Sequence, residues 1–170
     1  MTSALLAFLA IVLFMVHEFE EIVRVRPWID KKGSDPELAS EMFISGRASY
    51  PSAETMAALI MEEFILAGLV LFAGIIFRLP ELVLAITLGH TLHLFAHIGQ
   101  ALSFRIWVPG SITSVLTMPV LLLSIAVFIL SQSLNWLLLF ILVPLIFVAL
   151  LLNLNFLHGQ SAKVEQFLHG

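Results

Sequence analysis

The chain has 170 residues, of which 60% are hydrophobic and 12% are charged, with a formal net charge of −4 and no cysteine. A soluble domain is usually closer to half apolar, so this composition indicates a membrane protein with several spans. The lack of cysteine excludes disulfides and thiolate metal sites, and the negative net charge gives no basic surface for nucleic acid.

Five apolar segments have the roughly 20 residues that are needed to cross a bilayer core. They lie at about 3–23, 55–77, 80–104, 112–131 and 134–156. No lysine or arginine precedes the first of them, which favours a retained helix over a removable signal peptide. We therefore predict an all-α protein, a polytopic membrane helix bundle of about five transmembrane helices that forms a single domain over 1–170.

Basic residues are unequally divided between the two sides that five spans define. One side holds only Arg78, and the other holds Arg24, Arg26, Lys31, Lys32, Arg47, Arg105 and Lys163. The bias of lysine and arginine towards the cytoplasm predicts that the second side is cytoplasmic. The N-terminus is then outside and the C-terminus is cytoplasmic.

The polar stretch 25–53 is the only sizeable segment outside the predicted spans. Within it, Ser34 or Asp35 followed by Pro36 is typical of a helix start. A short amphipathic helix over about 36–45 would lie on the membrane surface and cover the mouth of the bundle. An ordinary connecting loop is the alternative interpretation.

The first span ends in the stretch MVHEFEEIVR, which carries several groups that are costly in lipid. Glu20, Glu21 and Arg24 follow His17 by three, four and seven residues. These spacings place all four side chains on one helix face. Glu18 points away from this face and is expected to reach the lipid headgroups.

Two further spans carry polar residues in their apolar sequence. The second contains the adjacent pair Glu62 and Glu63, which are about 100° apart on a helix and cannot both point the same way. Periodicity slightly favours Glu62 as the inward member. In the third span, ITLGHTLHLFAHIGQ, three histidines share one face: His90, His93 and His97.

These polar groups are predicted to lie at one depth. At about 1.5 Å per residue, His17, Glu62 and His97 each lie roughly 10 Å from the cytoplasmic end of their helix. A carboxylate in the hydrocarbon core costs about 2.5 kcal/mol or more and must be neutralised, paired or bound to a metal. Three helices therefore direct imidazoles and carboxylates into one chamber in the cytoplasmic half of the bundle.

Histidine nitrogen together with carboxylate oxygen is a ligand set suited to zinc or iron. The sequence predicts a site for one or two such divalent ions, with ligands drawn from His17, Glu20, Glu21, Glu62, Glu63, His90, His93 and His97. A metal-free network of protonated carboxylates and imidazoles, structural or proton-conducting, is the alternative.

HEFEE at the end of the first span, together with FRIWVPGSITS at 104–114, resembles the HXXEE family of small bacterial membrane proteins. The resemblance covers about residues 15–117. It implies that His17, Glu20 and Glu21 belong to the defining site of that family and that the protein is located in a bacterial inner membrane, but it does not imply a reaction. Pro109–Gly110 within the second motif is interpreted as a tight turn.

The pattern favours an intramembrane metalloenzyme that acts on a lipid or another hydrophobic small molecule. Glu20, Glu21, Glu62 and Glu63 are the candidate catalytic residues, with hydrolysis slightly preferred. An iron-dependent oxidase or hydroxylase with the same ligands is one alternative. A proton or metal-ion transporter is another, and a homo-oligomer could build a path that one chain does not contain.

Overall fold

The computed structural model describes residues 1–50 and 52–170. Every regular element in this part of the chain is a helix, which confirms the all-α prediction. The five long helices are α1 (Ser3–Lys32), α3 (Ala53–Ile76), α4 (Pro80–Phe104), α5 (Ser111–Ser131) and α6 (Trp136–His169). Between α1 and α3 lie the one-turn helix α2 (Met42–Ser45) and two short 3-10 turns, Pro36–Leu38 and Arg47–Ser49.

Four of the helices, α3 to α6, are long and apolar enough to cross a membrane. Large apolar side chains cover their outer faces: Phe72, Leu130 and Phe140 are 61%, 88% and 76% exposed. Apolar surface on this scale is expected where the neighbour is lipid and not water. The fold is that of a helical membrane bundle. The predicted span 3–23 lies within α1, outside the group of four, and stays a prediction.

Helix α4 occupies the centre of the bundle, where it packs against α1, α3, α5 and α6. Its neighbours bury a continuous apolar core around Leu84, Leu94, Leu121 and Phe128, none of which has exposed surface. A central helix brings its side chains within reach of several other helices at once. The polar residues of α4 are therefore enclosed by protein on more than one side.

Helix α1 runs to Lys32 and does not give way to a loop at residue 25. Val25 and Ile29 are one turn apart on the same face and are almost fully buried against Phe43 and Tyr50. This burial favours continued helix in spite of Pro27, which lacks a backbone N–H to donate. The predicted loop therefore begins eight residues later than the charge pattern indicates.

The segment 33–50 folds back over one end of the bundle. Asp35 caps the first 3-10 turn by accepting a hydrogen bond of 3.1 Å from Glu37 N–H, as the predicted helix start requires. The single helix predicted at 36–45 is in fact two short pieces, because Glu41 caps α2 instead of continuing the first turn. Glu41 is fully buried and also accepts a hydrogen bond from the indole of Trp28 at 3.4 Å.

Helix α6 extends well past the predicted span 134–156. Its last turns return to the start of α3, where Glu165 accepts hydrogen bonds from Ser52 and Thr55. These bonds lower the pKa of the Glu165 carboxyl. The hydrogen bonds hold the last turns of α6 at the end of the bundle that the segment 33–50 covers.

Candidate metal centre

Four side chains from two helices meet inside the bundle: His17 and Glu21 of α1, and His93 and His97 of α4. We call them the histidine–glutamate group. Each offers one ligand atom, and these atoms all lie within 4.8 Å of one another. His17, His97 and Glu21 are 0%, 1% and 7% exposed. His93 is half-buried, so the group is largely but not fully enclosed by protein.

The spacing within the histidine–glutamate group is close to that of a coordination polyhedron. His93 Nε2 lies 3.0 Å from His17 Nε2 and 3.1 Å from His97 Nε2. Glu21 Oε1 lies 2.9 Å from His97 Nε2 and 3.5 Å from His17 Nε2. Tetrahedral zinc with bonds of about 2.0–2.1 Å places neighbouring ligand atoms about 3.3–3.4 Å apart. Four of the six separations are thus close to those that a single small ion requires, and all six are within 4.8 Å.

Helical spacing explains why α1 and α4 each contribute two members. His17 and Glu21 are four residues apart, as are His93 and His97. Residues at i and i+4 lie one above the other on the same helix face, so each pair presents two ligand atoms in one direction. Because α1 packs against α4, the two pairs meet, as the sequence predicts for the first and third spans.

The backbone fixes the orientation of His97. Its Nδ1 lies 3.1 Å from the carbonyl oxygen of Pro109, in the turn between α4 and α5. A carbonyl only accepts, so Nδ1 donates its hydrogen, and Nε2 of the neutral ring carries a lone pair. Histidines that bind metals usually donate their second ring N–H to a carbonyl or carboxylate in this way.

Helix α5 fixes the orientation of His17. Its Nδ1 lies 3.2 Å from Thr113 Oγ1, and the Thr113 hydroxyl donates to Glu20 Oε2 at 2.7 Å. Since that hydroxyl proton is directed to Glu20, the Thr113 oxygen accepts from His17 Nδ1. His17 therefore also presents its Nε2 lone pair to the histidine–glutamate group.

The lone pairs of His17 Nε2 and His97 Nε2 thus converge with the carboxylate of Glu21, and a neutral His93 can donate a hydrogen to only one of the two rings. Glu21 Oε1 forms no well-aligned hydrogen bond with any residue that the structure describes. One proton added to His97 would satisfy its contact with Glu21 but would leave His93 between two other ring nitrogens. A cation at the centre would satisfy all four atoms, which is why we describe the group as a candidate metal centre.

Gly110 forms the wall of the centre at the start of α5. Its φ of +78° is a left-handed conformation that glycine adopts readily. A β-carbon at this position would lie 2.8 Å from both Glu21 Oε1 and His97 Nδ1, and 2.9 Å from His17 Cε1. The turn predicted at Pro109–Gly110 is present, but both of its residues also contact the centre.

Phe43 of α2 closes the centre on the side of the segment 33–50. Its ring stacks on that of His97, with centroids 6.0 Å apart and an interplanar angle of 26°. Phe43 has no exposed surface. The segment therefore covers the site, as the sequence pattern predicts.

Comparison with protein families identifies the group to which the chain belongs. A family model described as "Protein of unknown function with HXXEE motif" matches residues 8–124, more than half of the 170 residues. The chain is a member of the HXXEE family. The resemblance drawn from HEFEE and 104–114 is thereby confirmed. Neither a search of curated proteins nor a search of solved structures found a match.

The two glutamates of the HXXEE motif have different contacts. Glu21 joins the histidine–glutamate group, four residues after His17. Glu20, predicted as a ligand, instead turns towards α5, where it accepts hydrogen bonds from the N–H and hydroxyl of Thr113, both at 2.7 Å. It also forms an ion pair with Arg24. The structure thus places Glu20 one hydrogen bond outside the group, where it orients His17 through Thr113.

Helix α3 contributes no member to the histidine–glutamate group. Glu62 Oε2 accepts a hydrogen bond of 3.0 Å from Asn153 of α6. Glu63 interacts electrostatically with Glu18 and Glu21, although periodicity slightly favours Glu62 as the inward residue. The assignment of Glu62 and Glu63 as ligands or catalytic residues stays a prediction.

Glu18 is 4% exposed, so the expectation that it reaches the headgroups is wrong. Its electrostatic neighbours are the carboxylates of Glu21 and Glu63. Burial of several acids in one place is costly unless a cation or protons balance them. The acidic surroundings therefore favour cation binding at the adjacent group.

His90 lies next to the histidine–glutamate group without joining it. Its ring centroid is 6.1 Å from that of His17, and its ring packs edge to face with Phe14. Both ring nitrogens are buried and have no hydrogen-bond partner among the described residues. The structure thus leaves His90, a predicted ligand, with unused hydrogen-bonding capacity beside the centre.

Sequence reasoning predicted a turn at Pro109–Gly110 close to the site, but it assigned no contact with the centre to this turn or to α5. Ser114 Oγ lies 3.4 Å from His17 Nδ1 and donates to the Gly110 carbonyl at 2.8 Å. Thr113 and Gly110 make the contacts described above. The available signal was the motif FRIWVPGSITS, which follows the helix of His97 and contains all three residues. Small and hydroxylated residues directly after a histidine-bearing helix are suited to close approach and to orienting a ring.

Thr113→Val should weaken metal binding by roughly 10- to 100-fold, the usual effect of removing an outer hydrogen-bond partner. Valine keeps the branched shape and removes the hydroxyl between His17 and Glu20. Thr117→Val is the matched control, because the Thr117 hydroxyl donates to the Thr113 carbonyl one turn away. Titration against a chromogenic chelator measures both affinities, and equal values would contradict the orienting role of Thr113.

Proposed function

We propose that the protein is an intramembrane metalloenzyme that holds a zinc or iron ion in the histidine–glutamate group and hydrolyses a lipid-like substrate. The observation that carries this proposal is the meeting of three imidazole nitrogens and one carboxylate oxygen within 4.8 Å of one another, with four of their separations at 2.9–3.5 Å. Zinc and iron both accept this mixture of nitrogen and oxygen ligands.

Charge balance supports a resident divalent ion. Glu18, Glu21 and Glu63 are close enough to interact electrostatically in a region of low dielectric constant. Arg24 is the first lysine or arginine after the HXXEE motif in α1, and its positive charge already pairs with Glu20. A divalent ion bound by neutral histidines would supply the missing positive charge.

A bound metal lowers the pKa of a water ligand towards neutrality and polarises a carbonyl or phosphoryl oxygen. The chain's own contribution is to fix the rings and to hold a proton. Pro109 and Thr113 hold His97 and His17 in place, and His93 lies between them. Glu21 would be a ligand of the ion. Glu63 of α3 is a half-buried carboxylate outside the group that interacts electrostatically with Glu21, and we assign to it the role of general base.

The surroundings of the centre support an apolar substrate with one polar group. The site lies among membrane helices, and Phe43 and the segment 33–50 cover it at one end. A hydrophobic molecule would enter between helices from the lipid. His90, whose nitrogens have no partner in the part of the chain that the structure describes, would bind the polar group of such a molecule next to the metal. Hydrolysis of an ester, amide or phosphate would add one water across the bond that breaks.

Isotope labelling distinguishes hydrolysis from the iron-dependent alternative. The full chain would be reconstituted with a total membrane lipid extract, loaded with zinc or with iron, and incubated in ¹⁸O-water or under ¹⁸O₂. We expect new products in mass spectra that carry ¹⁸O from water. Glu63→Gln should retain metal, because Glu63 is outside the histidine–glutamate group, but should lose the products. Label from ¹⁸O₂ would instead establish oxygenation, and unchanged lipids with either loaded metal would contradict an enzyme of membrane lipids.

A further inference from the structure

A groove lies along the second half of α1, next to Arg24, which pairs with Glu20. Its volume is about 350 Å³, and its basic lining residues are Arg24, Lys31 and Lys32. Arg24, Trp28 and Lys31 are spaced four, three and seven residues apart, which places them on one helix face. The groove is therefore a feature of one regular face of α1.

Positive charge predominates in this groove. Lys31 forms no ion pair with the residues that the structure describes, and no acidic side chain lines the cavity. Lys32 lies 3.8 Å from Asp35, an exposed and loose contact. Glu20 pairs with Arg24 from the inner side, yet the Arg24 side chain keeps 33% of its surface exposed. An anion in the groove would meet three cationic groups and no competing carboxylate on its walls.

The same groove also has an apolar part. Val23 is 67% exposed, and the other apolar lining residues are Pro27, Trp28 and Ile106. Tryptophan and exposed aliphatic side chains beside lysines are typical of the interface between headgroups and acyl chains. A second cavity of about 360 Å³ shares Lys32 and Ile106 with the groove. Its lining also includes Asp35, Glu37 and Arg105, so it carries both charges and would contact the uncharged polar part of a headgroup, not its phosphate.

We propose that this groove binds the phosphate headgroup of an anionic membrane lipid. The phosphate would lie between Arg24, Lys31 and Lys32, with the acyl chains against Val23 and Trp28. The inference goes beyond the proposed enzymatic function and does not depend on a bound metal. It gives Arg24 a second contact, because this residue also pairs with Glu20, which hydrogen-bonds Thr113 beside His17. Lipid bound in the groove is thereby connected to the outer contacts of the candidate centre.

Native mass spectrometry of the full chain in detergent tests this proposal. The protein would be titrated with phosphatidylglycerol and with phosphatidylcholine of the same acyl chains. We expect a preference for phosphatidylglycerol that falls by about fivefold for each lysine removed in Lys31→Gln/Lys32→Gln, the usual contribution of one basic residue near an anionic headgroup. The metal-free protein should give the same result.

The matched control is Arg26→Gln/Lys163→Gln, which removes two positive charges elsewhere. Arg26 pairs with Asp30 at 2.7 Å, and Lys163 donates to Gln160 at 3.0 Å, so neither belongs to the groove. The control should keep the lipid preference of the parent chain. An equal loss in both double variants would overturn the groove as a site. Displacement of the lipid by an equal concentration of inorganic phosphate would overturn the lipid as its occupant.

Discussion

Gly110→Ala is expected to abolish metal binding while the helical bundle stays folded. A β-carbon at this position would lie 2.8 Å from Glu21 Oε1 and from His97 Nδ1, so both side chains would have to move. The positive φ of residue 110 adds about 1–2 kcal/mol of backbone strain for a residue other than glycine. Displaced ligands should weaken binding by at least about 100-fold, beyond the usual effect of losing an outer partner. Metal content after purification and circular dichroism measure the two parts of this expectation.

Gly99→Ala is the matched control for this substitution. A β-carbon at Gly99 would meet no atom within 4 Å, and the residue lies in α4, two positions after His97. Alanine is favoured over glycine within a helix, so the control should be at least as stable as the parent chain. If Gly110→Ala bound metal as tightly as Gly99→Ala, the proposed wall of the centre would be wrong.

His93→Ala is expected to lose the metal, whereas His90→Ala should keep it. His93 Nε2 lies 3.0–3.1 Å from the Nε2 atoms of His17 and His97, at the middle of the group. His90 lies one turn earlier in α4 and is outside the group. Loss of a ligand should lower metal content from about one ion per chain to below about 0.1, since even outer partners contribute 10- to 100-fold. Elemental analysis of detergent-purified protein measures both variants.

The pair of histidine variants also separates two interpretations of the site. Metal loss in both variants would identify His90 as a further ligand, as the sequence pattern predicts. Metal retention in both would contradict a centre built on His93. Thermal unfolding of each variant after chelation controls for folding, because a difference that depends on metal disappears in the metal-free state.

The long apolar helices and the four members of the centre could be predicted from the sequence, because each is indicated by a pattern within a single helix. Apolar segments of membrane length predict α3 to α6 directly, and spacings of four residues predict that His17 joins Glu21 and that His93 joins His97. Both signals are periodic within a single helix. Depth along the helix then indicates that the two pairs are at the same level.

The contacts between different helices could not be predicted from the periodicity of the sequence. Glu20 and Glu21 are adjacent and chemically equivalent, and only the position of Thr113 on α5 makes Glu20 an outer partner. The burial of Glu18 depends in the same way on α3, which packs beside α1. A helical spacing tells which residues share a face, but it does not tell which neighbour that face meets.

Local tertiary contacts also overrode the local sequence pattern at two places. The polar stretch that begins at residue 25 predicts a loop there, yet burial of Val25 and Ile29 extends α1 to Lys32. The sequence Pro109–Gly110 is accounted for by a tight turn alone. The close approach of this turn to three members of the group results from the packing of α5 and could not be predicted. Such contacts join residues far apart in the chain, so their sequence signal is weak.

X-ray absorption spectroscopy at the metal edge, combined with elemental analysis of the purified full chain, tests the central claim most directly. We expect about one zinc or iron ion per chain, with three imidazole nitrogens and one oxygen at about 2.0–2.2 Å. A protein that carries no metal after growth in zinc- and iron-replete medium, takes none up on titration and unfolds at the same temperature with and without chelator would contradict the centre.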